Sequence, residues 1–313
     1  MRPWRATPAI VDRFAICRRE ASACAEAAPV PASAAAKYDP PMRAAVVGHV
    51  EWVDFVPVAR VPLAGEIVHS DNSWAEPAGA GAVAAAQLAK LANGASFFTA
   101  LGDDELGERT RTRLAELGIA LHAATREQPT RRAFTYLDDE RERTITTLGP
   151  RLHPRGNDDL PWAALGEADA VYFTAGDTDA ARLARAARIL VATPRAAGVL
   201  DTISVDALVY SAGDETEHAA VSSLALRPKL IVATEGAAGG SWSTADGESG
   251  RWEATNPPGP LIDQYGAGDS FAAGLTYALA AGRNIAAAVE LAARCGAWCA
   301  SGHGPYEGQL RRA

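Results

Sequence analysis

Asp263-Gln264-Tyr265-Gly266-Ala267-Gly268-Asp269-Ser270-Phe271 stands directly ahead of an apolar, Ala-rich run that reads as a helix from about Asp269 to Ala281, closed by Gly282. Residues 266 to 268 are small, so the backbone can approach a ligand closely. The unpaired amides of a helix start carry the positive end of its dipole, which makes this turn an anion hole. Asp269 sits at its mouth, where a carboxylate can accept a proton from a hydroxyl while the amides hold charge on a phosphoryl group in transfer. Taken without context, the same residues are a Gly-rich turn with Asp269 as an ordinary N-cap.

Outward from this turn, the chain alternates strand and helix. A second helix, capped by Asn284, runs to about Ala300. Far upstream, Arg43-Ala44-Ala45-Val46-Val47-Gly48 reads as a buried strand that opens the ordered domain. The spacing predicts a helix over Ala80 to Leu91, a strand over Ala95 to Ala100, and a helix over Leu106 to Leu117 closed by Gly118. Further strands are expected at Ala170 to Thr174, Val199 to Leu200, Ala207 to Tyr210 and Leu230 to Ala233, with helices at Asp179 to Leu190 and Glu215 to Leu226. This rhythm implies an α/β fold, with a mostly parallel central sheet and helices on both faces. Two segments, Val50 to Ser73 and Arg132 to Leu148, carry β-favouring residues, prolines and a charged Asp138-Asp139-Glu140-Arg141 turn. They are expected to form a small β lid over a pocket. No internal repeat is present.

Bulk properties narrow the partners. A chain of 313 residues with 48% hydrophobic content buries one large core. A net charge of -8 argues against nucleic acid or an anionic membrane, since phosphates require a basic surface. No apolar run reaches the length of a spanning helix, so the expectation is a cytoplasmic protein acting on a small molecule. Residues 1 to 41, rich in Ala, Pro and Arg, read as a disordered extension, with Met42 as the expected true start and 42 to 313 as the domain. Cys17, Cys24, Cys295 and Cys299 form no C-x-x-C pair, and the last two share a helix face, as buried free thiols would. The six histidines show no metal-binding spacing.

The 263 to 271 segment resembles the D-T-x-G-A-G-D signature of the ribokinase-like, or phosphofructokinase B type, carbohydrate kinases, with Gln264 in place of the usual Thr. The resemblance extends from Met42 onward. Val46-Val47-Gly48 is similar to the first strand, Pro62-Leu63-Ala64-Gly65-Glu66 to the P-x-x-G-E flap, and Gly102 to Gly107 to the turn that follows. It implies ATP-dependent phosphotransfer to a sugar or related alcohol, with Asp269 as general base and Gly266, Ala267 and Gly268 as the anion hole. It places ATP near Thr234, Gly236 and Gly239, in a segment that otherwise reads as a plain strand-to-turn loop, and near His303. Asp214-Glu215-Thr216-Glu217 is similar to N-x-x-E, which gives Glu217 a role in organising Mg2+; read alone, these acids suit any helix start. Acceptor contacts fall to Gly79, Asp263, Asp269 and one of Glu51 or Asp54, both of which remain candidates. Pairing of two copies through the lid is a further expectation, because an exposed small sheet has free edges.

The pattern departs from the family where G-G-x-x-x-N becomes Ala78-Gly79-Ala80-Gly81-Ala82-Val83, since Val83 cannot bond a hydroxyl. The acceptor is then a less common polyol or a less polar molecule. A P-loop kinase is excluded because no Gly-Lys pair exists, and a dinucleotide fold because Gly48 is followed by His49-Val50-Glu51. A kinase of a nucleoside or vitamin precursor on the same fold remains a rival, as does a non-catalytic nucleotide binder.

Overall fold

A computed structural model describes residues 42–140 and 142–312. The expected extension at 1–41 lies outside the described residues, as does Arg141. In chain order the strands are β1 (Ala44–Val47), β2 (Glu51–Pro57), β3 (Trp74–Ala78), β4 (Ala95–Gly102), β5 (Ile119–Arg126), β6 (Arg132–Leu137) and β7 (Arg143–Leu148). They continue with β8 (Ala170–Phe173), β9 (Ile189–Ala192), β10 (Ala207–Ser211), β11 (Leu230–Thr234), β12 (Gly240–Thr244) and β13 (Ser249–Trp252). The α-helices are α1 (Ala80–Ala92), α2 (Glu105–Glu116), α3 (Thr178–Ala184), α4 (Ala197–Leu200), α5 (Glu215–Ser223), α6 (Ala267–Ala280) and α7 (Ile285–Cys299).

Nine strands form one sheet in the order β13-β12-β11-β10-β9-β8-β1-β4-β5, parallel from β11 to β5 and antiparallel at β12 and β13. Alternation along β1 shows why helices cover both faces: Ala44 and Val46 pack into a core with α1, α6 and α7, whereas Ala45 and Val47 pack into another with α3 and α4. Small residues set the helix spacing. A Cβ on Gly274 of α6 would lie 2.7 Å from the sulfur of Cys295 on α7, so glycine is what lets these helices meet. Cys295 and Cys299 are buried free thiols.

The second sheet has the order β3-β2-β6-β7. Its strands cover 51 to 57 of the first expected lid segment and all but the turn of the second. Residues 58 to 73 contain no strand, and β3 extends the sheet beyond Ser73. Two expectations fail in the second half. Val199 and Leu200 lie in α4 rather than in a strand, and the run expected as a helix to Leu190 stops at Ala184, with Ile189 and Leu190 in β9. A four-residue apolar run carries no period to separate strand from helix, and the expected helix took in Ile189 and Leu190, the first two residues of β9, which ends ahead of Thr193-Pro194. β5, β12 and β13 are strands beyond those predicted.

Candidate active site

A cavity of about 390 Å³ opens at the C-terminal ends of the parallel strands, reached by Thr174 after β8, Thr193 after β9, Ser211 ending β10 and Thr234 ending β11. This is where the loops of an open parallel sheet diverge and leave room for a ligand. The first residues of α6 form part of its wall, the β1–β2 junction another, and Arg143 reaches it from β7 of the small sheet.

Gly266 is the N-cap of α6, with φ 80°. A Cβ there would stand 2.8 Å from Cγ1 of Val83, so the tight turn requires glycine on both conformational and steric grounds. Ala267 donates its amide to Gln264 O at 3.3 Å and does not line the cavity. The amides of Gly268 and Asp269 have no protein acceptor among the described residues, and both residues line the cavity. These two amides, with Gly266 shaping the turn, are donors left open to the cavity, and that of Ala267 is not.

Asp269 lies in the first turn of α6 and its carboxylate caps no helix amide, which rules out the ordinary N-cap reading. Burial pushes it up to about 6, against the pull of Arg143 and Arg195 and with a further push from Glu217. A group so placed exchanges a proton near neutrality.

Glu51 is buried at the start of β2, with Arg131 Nη1 at 3.2 Å and His49 Nε2 at 3.5 Å. Burial raises the Glu51 carboxyl above its ordinary value, and Arg131 and Arg151 oppose the shift. Burial and the same arginines hold His49 down to about 3, so this imidazole is neutral. Gly79, with φ 90°, lies beside both: a Cβ on it would stand 3.4 Å from the His49 ring and 3.5 Å from Glu51 Cγ. Its amide donates to the Tyr265 hydroxyl at 3.2 Å, which ties the start of α1 to the turn ahead of α6.

Strand alternation separates the two acids left open near the first strand. Glu51 lines the cavity, whereas Asp54, three residues on, faces the other side of β2 and pairs with Arg132 at 2.8 Å. Asp54 is therefore no part of the site. Nor does Asp263 line it: one oxygen accepts the Tyr265 amide at 2.8 Å and the other the Gly304 amide at 2.7 Å, so this buried carboxyl clamps two loops together.

Of the residues expected at the nucleotide, Thr234 lines the cavity, with its hydroxyl donating to Tyr210 O at 3.2 Å. Gly236 is exposed, with φ 58° and open space around it, just outside. Gly239 turns the chain into β12, and a Cβ on it would overlap Trp252 O at 2.1 Å, so its role is in the fold. His303 also lies outside the lining, its ring 6.4 Å from that of Trp74.

Glu217 is buried at the start of α5 and lines the cavity. One oxygen accepts Arg195 Nε and the other the Ser211 amide at 2.8 Å. Asp214 caps α5 through the Thr216 and Glu217 amides and meets Arg195 Nη2 at 3.0 Å. No cluster of three metal-ligating side chains exists among the described residues. The donor set fits a Mg2+ ion that would be carried mainly by phosphates and water, towards which Glu217 would act through a water, because both its oxygens already have donors.

Sequence reasoning missed Arg143 on β7, Arg151 in the loop after it and Arg195 in the turn after β9, which line the cavity, and Arg131 just ahead of β6, which meets Glu51. No motif links them, and only the fold gathers them.

With this geometry in view, the sequence places the molecule among known proteins. The pattern of the pfkB family carbohydrate kinases matches residues 42–206 and 204–311, so the chain belongs to that family. It is accordingly a sugar kinase, an enzyme that moves a phosphoryl group from ATP to a sugar hydroxyl. An ATP-dependent ribose-1-phosphate kinase of Halopiger xanaduensis is 26% identical over 283 residues, covering 84% of this chain and 93% of that protein. An acarbose 7(IV)-phosphotransferase of Actinoplanes sp. is 34% identical over 88 residues, a match spanning 28% of this chain and 29% of that relative's length. Among solved structures, an Arabidopsis thaliana ribokinase complexed with ribose and ATP superposes with a TM-score of 0.69 at 20% identity, covering 86% of this chain and 96% of that one. Among the described residues no helix is long and apolar enough to cross a membrane.

Proposed function

We propose that Asp269 is the general base that takes the proton of the acceptor hydroxyl as the γ-phosphoryl group of ATP moves onto it. The observation that carries this reading is a carboxylate without a hydrogen-bond partner among the described residues, set beside two amides likewise unpaired on one helix start. A hydroxyl held between Glu51, Gly79 and Asp269 loses its proton to Asp269, while the Gly268 and Asp269 amides and Arg195 take up charge on the phosphoryl oxygens. The nucleotide approaches along the ends of β10 and β11, past Thr234 and the open Gly236 turn. Mg2+, held by the phosphates and through water by Glu217, supplies charge neutralisation when bound.

The small sheet is the lid: β7 carries Arg143 over the cavity, and closure excludes water that would otherwise hydrolyse ATP. β7 is also an edge strand exposed along its whole length, which suits pairing with a second copy. A net charge of -8, buried free thiols and dependence on ATP fit the cytoplasm. An assay of ADP release over a panel of sugars and nucleosides, run with the parent protein and with Asp269→Asn, tests the reading. Acceptor-dependent ADP release that vanishes in the variant is expected. ATP binding with no acceptor-dependent release would favour the non-catalytic binder.

A further inference from the structure

Beside the cavity described above lies another of about 480 Å³, at the C-terminal ends of β8 and β9. Arg151 and Arg195 line both, so the two spaces adjoin. Arg131 and His153 complete its polar wall; the other lining residues are Ala, Gly and Val, and no carboxylate is among them.

The acids nearby leave part of this wall without a partner. Glu51 meets Arg131 through Nη1 only, and the buried Arg131 Nε has no acceptor. Glu217 and Asp214 both meet Arg195. The Arg151 guanidinium has no carboxylate within ion-pair distance among the described residues, although Arg131 and Arg195 crowd it. Burial and these two neighbours push Arg151 below its ordinary value, and Glu51 opposes them. A guanidinium without a carboxylate partner, beside a second one with a buried, unused donor, makes a site suited to an anion that accepts several hydrogen bonds at once.

Its place relative to the chemistry indicates whose anion this is. Arg131 meets Glu51 at 3.2 Å, at the acceptor end, whereas Arg195 stands at the border, lining both this cavity and the one that holds Asp269. The nucleotide side, at Thr234, belongs to the other cavity alone. We propose that the acceptor is a sugar that already carries a phosphate monoester, and that Arg151 and Arg131 bind this phosphate with Arg195 at the border towards Asp269. The proposal rests on the kinase reading above and narrows it. It also accounts for the loss of a hydroxyl-binding residue at Val83, because recognition shifts from the ring hydroxyls to the phosphate.

The test compares ribose with ribose 1-phosphate and ribose 5-phosphate, and fructose with its 1- and 6-phosphates, by kcat/KM and by calorimetry with a non-hydrolysable ATP analogue. At least one ester should exceed its parent sugar by about 100-fold or more in kcat/KM. Arg151→Met should lower that ratio at least about 10-fold, through KM more than kcat. Arg132→Met, on the outer face of the lid, should leave the ratio unchanged. Parent sugars used as well as every ester, or a ratio indifferent to Arg151→Met, overturn the proposal. Inorganic phosphate should compete with the ester; if it instead accelerates turnover of an unphosphorylated sugar, the site serves a free anion and the proposal falls. Should no acceptor turn over, the kinase reading fails separately. Calorimetry then decides the site: preference for an ester that Arg151→Met removes supports it, and equal binding of ester and parent sugar overturns it.

Discussion

Val83 Cγ1 occupies the space that a side chain on Gly266 would need, 2.8 Å from where its Cβ would stand. Val83 is fully buried on α1, so this contact joins the first described helix to the turn that opens α6. Gly266→Ala adds both a clash and an unfavourable backbone at φ 80°, and should cost about 1–3 kcal/mol in urea denaturation, with a loss of kcat. Adding Val83→Ala should recover the steric part and leave the backbone part. An alanine at 266 with parental stability would show that the turn is looser than described.

The Asp269 carboxyl, held near 6, must be ionised to accept a proton, so kcat/KM should rise with pH through a limb centred near 6. Stability moves the other way. A carboxyl whose folded value is raised stabilises the folded state below its ordinary range, and that contribution is lost as pH climbs through 6. Melting of Asp269→Asn beside the parent between pH 4 and 8 should therefore shift in favour of the variant as pH rises. A constant difference would mean that burial does not perturb Asp269.

Asp263 was a substrate ligand by resemblance and is a clamp by geometry. Asp263→Ala strands the buried amides of Tyr265 and Gly304 and should destabilise the protein by at least about 2 kcal/mol. The same variant with parental stability and a raised acceptor KM would restore the ligand role.

Glu217→Ala leaves Arg195 with Asp214 alone and, on the proposed reading, removes the acid that would orient water around the phosphates. It should raise the Mg2+ concentration for half-maximal turnover about 10-fold, as loss of an outer-shell partner does. Chelation of Mg2+ should abolish turnover in the parent. An unchanged Mg2+ dependence in the variant would confine Glu217 to holding Arg195 and the Ser211 amide.

What could be read from sequence was what is contiguous along the chain. The 266–269 turn, the strand ending at Gly48 and the helix capped by Asn284 each declare themselves within a few residues, because small residues, apolar runs and caps act locally. Glu51 and Asp54 could not be separated until strand alternation placed them on opposite faces of β2. The swap of strand and helix between Ile189 and Leu200 arose because short apolar stretches bury equally well in either form. Arg131, Arg151 and Arg195 are joined only by the meeting of the lid, a loop and the end of β9, and no spacing along the chain announces that.

The central claim is that Asp269 removes the acceptor proton, and single-turnover phosphotransfer by Asp269→Asn tests it most directly, with the parent's substrate saturating for both proteins. The account predicts a fall in rate of at least about 100-fold, the lower end of what a positioned base contributes, with nucleotide affinity retained and melting at pH 8 no lower than the parent's. A variant that folds, binds ATP and transfers phosphate at a rate near the parent's would contradict it.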